Sequence, residues 1–299
     1  PAKIIMQMRD NEGTIKQNFT FTTGEILTLG QWYHITAVYQ GQTNAVPTCQ
    51  IYVDANSVPN TYACSGTCGN FTENGFTVNS YCRMGVKHAA NRQATYLQPF
   101  VGDITMMRIY DRALTSEEII GNKAVGMTQA VDALPGISQV GLVLELDASN
   151  AGDAPETAWA PTVGPEAGGN IATAAHSAGN IEDFKPVLMS QLVDPENPES
   201  DYYWWYRFHA AIIPAAGGTK GGGASIINLG TDAIFDHTDD FTVEAWIRPG
   251  APACMDGGTC DYVAPGTYGV MTIMGDMSIW DNGYHFFAQH AQTLPATTN

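Results

Sequence analysis

FVGDITMMRIYDRALTSEEII, Phe100 to Ile120, carries a strand, a turn and the start of a helix. Over Gly102 to Tyr110, Ile104, Met106, Arg108 and Tyr110 alternate with Asp103, Thr105, Met107 and Ile109. That period of two predicts a strand in a packed sheet, with the first set on one face and the second on the other. Thr115 and Glu118 stand three apart before an apolar run, the spacing of a capping box. In such a box each side chain reaches the other residue's backbone N–H, so a helix is predicted just after Leu114.

The composition around this stretch narrows the class. The chain has 299 residues, 44% hydrophobic and 10% aromatic, enough to bury a core over one or two domains. Only 14% of residues are charged, while Gly and Pro number 31 and 16. Few charges, many turn formers and scattered β-branched and aromatic residues favour an all-β fold. Thirty acidic residues against 13 basic ones leave a formal charge of −17. Such a surface repels nucleic acid and anionic membranes. No run of eighteen apolar residues is present, so no membrane insertion is expected. The first residue is Pro1, which points to a processed chain or a segment of a longer one.

Six cysteines fall in two groups, Cys49, Cys64, Cys68 and Cys82, then Cys254 and Cys260. The Gly-rich spacings CSGTC and CMDGGTC have no nearby histidine and do not match zinc sites, so disulfides are expected. Cys64–Cys68 and Cys254–Cys260 read as local bridges, leaving Cys49 for Cys82. Asn18 and Asn70 each open an N-F-T glycosylation sequon. These features place the protein outside the cell or on its surface.

Further strands are predicted over Lys3–Arg9, Asn18–Thr23, Gln31–Gln40, Cys49–Asp54, Phe76–Gly85, Gly141–Asp147, Tyr202–Phe208, Ser225–Leu229, Phe241–Pro249, Tyr268–Gly275 and Gly283–Gln289. Ala148–Gly179 and Ala215–Gly223, rich in Ala and Gly, read as loops.

The opening string resembles the closing strand of laminin-G-like, concanavalin-A-like jelly rolls, G-x-I-D-x-x-R-I-Y-D/N-R-A-L-S-x-x-E-I. The family's W-x-H-x-A-x-V-Y-D-G and x-I-Y-V-D-G strands are met by Trp32, His34, Tyr39, Gly41, Ile51, Tyr52, Val53 and Asp54, with Ala55 where Gly is usual. GLVLELD at Gly141–Asp147 is similar to the family's opening strand, and FTVEAWIRP at Phe241–Pro249 to an early one. The resemblance implies an antiparallel jelly-roll β-sandwich with one short helix after the closing strand. Its order is rotated: residues 1–125 are similar to the C-terminal half of the domain and 141–299 to the N-terminal half. Residues 126–140 are a linker, and an insertion spans about 148–220. Either one chain closes a permuted sandwich, or each half is completed by a neighbouring chain, which would build a head-to-tail homo-polymer. The missing Met and the mid-domain start favour the second arrangement.

The paired carboxylates of laminarinase-type relatives, E-x-D-x-x-E, are absent. Glu244 stands alone in its strand, and no nucleophile, zinc or phosphate-loop motif occurs, so no enzyme activity is expected. His34 reads as a packing histidine. The resemblance implies a Ca²⁺ site at Asp103 and Asp147, since hard oxygen ligands suit that ion. In YYWWYRF, alternation sets Tyr203, Trp205 and Arg207 on the face opposite Tyr202, Trp204, Tyr206 and Phe208. One face belongs to the core, and the Tyr203 face is offered to a glycan or a subunit interface. The function expected is that of an extracellular structural or adhesive protein assembling through its jelly roll, with a carbohydrate-binding module as the alternative.

Overall fold

The computed structural model describes residues 2–10, 17–41, 47–66, 82–85, 87–88, 96–97, 100–125, 139–150, 158–164, 169–176, 185–192, 195–196, 202–208, 210–214, 220–230, 240–250, 269–275 and 283–290. The first strands are β1 (Ala2–Asp10), β2 (Gln17–Thr23), β3 (Tyr33–Gln40), β4 (Thr48–Val53), β5 (Asn56–Val58) and β6 (Asn60–Gly66). Next come β7 (Cys82–Met84), β8 (Lys87–His88), β9 (Tyr96–Leu97), β10 (Gly102–Tyr110) and helix α1 (Ser116–Val125). Then follow β11 (Leu142–Asp147), β12 (Ala158–Trp159), β13 (Gly169–His176), β14 (Val187–Leu192), β15 (Tyr202–Phe208) and β16 (Ala210–Pro214). The chain continues with β17 (Lys220–Gly230), β18 (Phe241–Pro249), β19 (Gly269–Gly275) and β20 (Gly283–His290).

Two antiparallel sheets form the sandwich expected from the sequence. One runs β12-β13-β17-β7-β19-β20-β1-β2-β6, with β16 also on β17. The other runs β14-β15-β10-β18-β3-β4-β5, with β11 beside β15 on the same edge of β10. Inward residues at every second position make the core: Ile4, Met6 and Met8 of β1, Ile35, Ala37 and Tyr39 of β3, and Val243, Ala245 and Ile247 of β18. Phe241 lies 5.0 Å from Tyr39 and 5.1 Å from Tyr284, so one aromatic stack ties the two sheets.

Residues 1–125 and 141–299 interleave. β18 lies between β10 and β3, and β1 pairs with β20 from Ala2↔His290 to Arg9↔Gly283. A single chain therefore completes this sandwich. The expectation that a neighbouring chain completes each half is corrected here, because the ladders that would have been left open are filled from within.

Two loop expectations also change. GNIATAAH forms β13, and Lys220–Gly223 opens β17, because these weak strand sequences share one ladder from Asn170↔Asn228 to His176↔Gly222. Tertiary pairing has overridden local propensity. Of the strand predicted over Phe76–Gly85, β7 covers Cys82–Met84, and residues 76–81 lie outside the described residues.

Two motif glycines have steric reasons. Gly102 has φ of +140°, and a Cβ there would meet the Arg248 carbonyl oxygen at 2.3 Å. Gly141 has φ of +73°, and its Cβ would meet Asp111 Oδ1 at 2.5 Å. At the β4–β5 turn the usual Gly is missing: Asp54 and Ala55 have φ of 52° and 62°, the signs of a two-residue type I′ hairpin. Ala pays for a left-handed backbone that Gly adopts freely. Ala55→Gly should therefore stabilise the protein by about 1 kcal/mol, read as a higher denaturant midpoint at unchanged slope. An unchanged or lower midpoint would show that the turn is not strained.

Candidate functional site

The deciding local feature is a bulge in β10. Ile104 faces Ile247 and Met106 faces Trp246, so Thr105 is an extra residue in the ladder. Its hydroxyl donates to the Trp204 carbonyl, where β10 changes partner from β15 to β11. The side-chain phase flips there. Met107 and Ile109 join Ile104 in the core, while Arg108 and Tyr110 turn to the outer face. The simple alternation expected from the sequence is thus corrected after Thr105.

On that outer face Arg108 stands between Glu145 of β11 and Glu244 of β18. Arg108 Nε donates to Glu145 Oε1 at 2.7 Å, and Nη1 donates to Glu244 Oε1 at 2.9 Å. Helix α1 covers the row. The capping box forms as predicted: Thr115 N donates to Glu118 Oε2, and Glu118 N to Thr115 Oγ1. One turn further on, Asn122 Nδ2 donates to Glu244 Oε2 at 2.9 Å and to the Tyr110 hydroxyl at 3.0 Å. Leu114 and Ile119 pack on Tyr110 and Val38 beside it. His34 Nε2 lies 3.3 Å from Glu244 Oε1, an ion-pair distance without hydrogen-bond alignment, and its ring packs 5.2 Å from Trp246. Glu244 is therefore not alone, and His34 packs as expected but also touches a charge.

All five polar residues, Arg108, Glu145, Glu244, His34 and Asn122, are buried. Burial pushes the Glu244 carboxyl up, but His34, Arg108 and Asn122 outweigh it and hold it at about 2. Burial dominates at Glu145 and raises it, against the pull of Arg108. Closed off from solvent, this row fixes the helix to the sheet.

The second outer-face feature is open. Arg248 lies over two indoles, 4.9 Å from the Trp32 centroid and 5.2 Å from that of Trp205. Its Nε donates to Asp103 Oδ2 at 2.7 Å, and Arg207 Nε donates to Asp103 Oδ1 at 2.9 Å. Trp205 is buried and forms the floor, while Trp32 and Tyr203 are partly exposed. Tyr203, Trp205 and Arg207 do share the outer face, as alternation predicted, with Tyr206 and Phe208 in the core. Trp32 and Arg248 escaped sequence reasoning, because they join this group only through the pairing of β10 with β15 and β18 and of β18 with β3, which Trp32 precedes.

This placement does not fit the calcium expectation. Asp103 is held by two arginines, and Asp147 lies further along β10, opposite Met106. Asp147 Oδ1 accepts from Ser149 N and Oγ in a 3-10 turn over Ala148–Asn150. Among the described residues no three His, Cys, Asp or Glu side chains gather as metal ligands.

Residues 3–120 match the family model of the concanavalin A-like lectin/glucanases superfamily, in its laminin-G branch. Those residues are therefore similar to a laminin-G/concanavalin-A-like domain. The match ends within α1, and β18, with its FTVEAWIRP motif, fills the middle of the same sheet. No curated protein and no solved structure matches the chain. Among the described residues no helix is long and apolar enough to cross a membrane.

The cysteine and sequon expectations divide. Cys49 of β4 is a free buried thiol, its ionisation pushed up by burial, so the expected Cys49–Cys82 bridge is corrected. These residues lie in strands of different sheets. Cys64 is disulfide-bonded, while Cys68, Cys254 and Cys260 lie outside the described residues. Asn18 lies within β2, and Asn70 is outside the described residues.

Proposed function

We propose that this protein is an extracellular adhesive domain that binds carbohydrate on the outer face of its eight-stranded sheet. The observation that supports this reading is the ledge of Trp32, Arg248 and Trp205, edged by Tyr203 and Arg207. Aromatic rings present apolar faces to sugar C–H groups, and arginine edges donate to hydroxyls. The rigid sheet holds these groups in place without an ordering cost on binding. The laminin-G-like fold accords with an adhesive role, and such domains are typically extracellular.

Immobilised glycans of varied composition, probed with the parent and with Trp32→Ala, test the reading. The parent should bind a subset, and Trp32→Ala should weaken that binding at least tenfold, with the same circular dichroism spectrum. Absence of binding across the array, or binding indifferent to Trp32→Ala, would refute it.

Self-association remains a second reading, now of whole domains edge to edge. It is supported by β14, VLMSQL, an uncharged strand at the end of its sheet with Val187 46% exposed. A single concentration-independent mass in sedimentation would exclude it.

A further inference from the structure

We propose that the outer-face ledge selects an acidic sugar, one bearing an isolated carboxylate, rather than a neutral one. This inference rests on the carbohydrate reading above and names the ligand class for that site.

The argument is one of unspent donors. Two guanidinium groups share the single carboxylate of Asp103. Arg207 uses Nε on Oδ1 at 2.9 Å and Nη2 on Oδ2 at 3.5 Å. Arg248 uses Nε at 2.7 Å and Nη2 at 2.6 Å, both on Oδ2. Among the described residues neither Nη1 has an acceptor, and the side chains are 40% and 24% exposed. Asp103, itself buried, neutralises one positive charge and leaves about one uncompensated at the ledge. Both planes are also fixed. Arg248 is stacked on Trp32 and Trp205, and Arg207 is pinned through its Nε. Fixed planar donors with free edges match a carboxylate, which accepts in the plane of the guanidinium.

The rest of the charge limits what that anion can be. The chain carries −17 overall. Screening reduces that field beyond about 8 Å at physiological ionic strength, so one carboxylate seated between the arginines feels mainly them. A dense polyanion carries many charges beyond the ledge, where the net negative charge of the chain repels it. The ligand that fits is therefore a sugar with a single uronate-type carboxylate, its ring face toward Trp32.

The experiment compares one uronic-acid-terminated disaccharide with its carboxyl-reduced neutral counterpart, titrated by NMR into the full chain. The uronate form should bind at least tenfold more tightly. That preference should shrink in raised salt and vanish in Arg207→Gln. Arg207→Lys, which keeps the charge, should retain part of it, and unchanged parent-like spectra exclude unfolding in either variant. Equal binding of both disaccharides, weakened by Trp32→Ala, would overturn the acidic preference and leave the carbohydrate reading intact. Uronate preference unaffected by Arg207→Gln and Arg248→Gln would also overturn it. If neither disaccharide binds, the acidic preference falls; if the glycan array is empty as well, both readings fall together.

Discussion

Arg108→Met is expected to destabilise the protein by about 4 kcal/mol, the largest effect of any single substitution considered. Among the described residues the arginine is the only cation that hydrogen-bonds both Glu145 and Glu244, and all three are buried. Without it two carboxylates face each other across β10 in a medium that solvates neither. The loss would take a third or more of the stability of an ordinary domain. Guanidinium unfolding measures it directly. The cause is checked with Arg108→Met/Glu145→Leu/Glu244→Leu, which removes the orphaned charges together. That triple variant should recover to within about 2 kcal/mol of the parent, since apolar replacements of buried ion pairs are often well tolerated. Asn122 would still lack its Glu244 acceptor. If the triple variant is as unstable as Arg108→Met alone, lost packing rather than stranded charge is responsible.

The second large effect is on acid stability, and the two glutamates act with opposite sign. Glu244 falls from its ordinary value of 4.5 to about 2 in the folded protein. Between those values the unfolded chain binds the extra proton, so stability is present above 4.5 and drains as pH falls toward 2. The full shift corresponds to about 3 kcal/mol. Glu145 is raised above 4.5, with burial as the leading cause. There the native protein binds the extra proton, so its contribution is complete below 4.5 and fades as pH rises through the raised value. Together they place the network's best pH near 4.5. Denaturant midpoints at several pH values should show that Glu244→Gln flattens the acid limb and Glu145→Gln flattens the limb above 4.5. Variant profiles that run parallel to the parent at every pH would show that neither group is linked to folding.

Both effects depend on a row that the sequence shows only in pieces. Glu145 reads as one position of an apolar strand, Glu244 as a solitary acid, and Arg108 as a member of the wrong face. The bulge at Thr105 is what misplaces Arg108, and nothing in DITMMR marks an extra residue in the ladder. The ledge is legible by half. Alternation in YYWWYRF correctly separates Tyr203, Trp205 and Arg207 from the core, because a period of two needs only the local backbone. Trp32, just before β3, and Arg248 of β18 come from segments far away in sequence.

Local chemistry by itself determined the strands of the β10 region, the capping box of α1 and the two-sheet class. Each of these depends on residues within a few positions of one another, or on the order of such segments. Tertiary structure alone decided three things: that the halves close within one chain, that Asp103 is held by two arginines, and that Glu244 has partners. The physical reason is that charge pairing across a sheet follows strand neighbours and register. Moving a ladder by one residue, as the Thr105 bulge does, turns a core position into an ion pair.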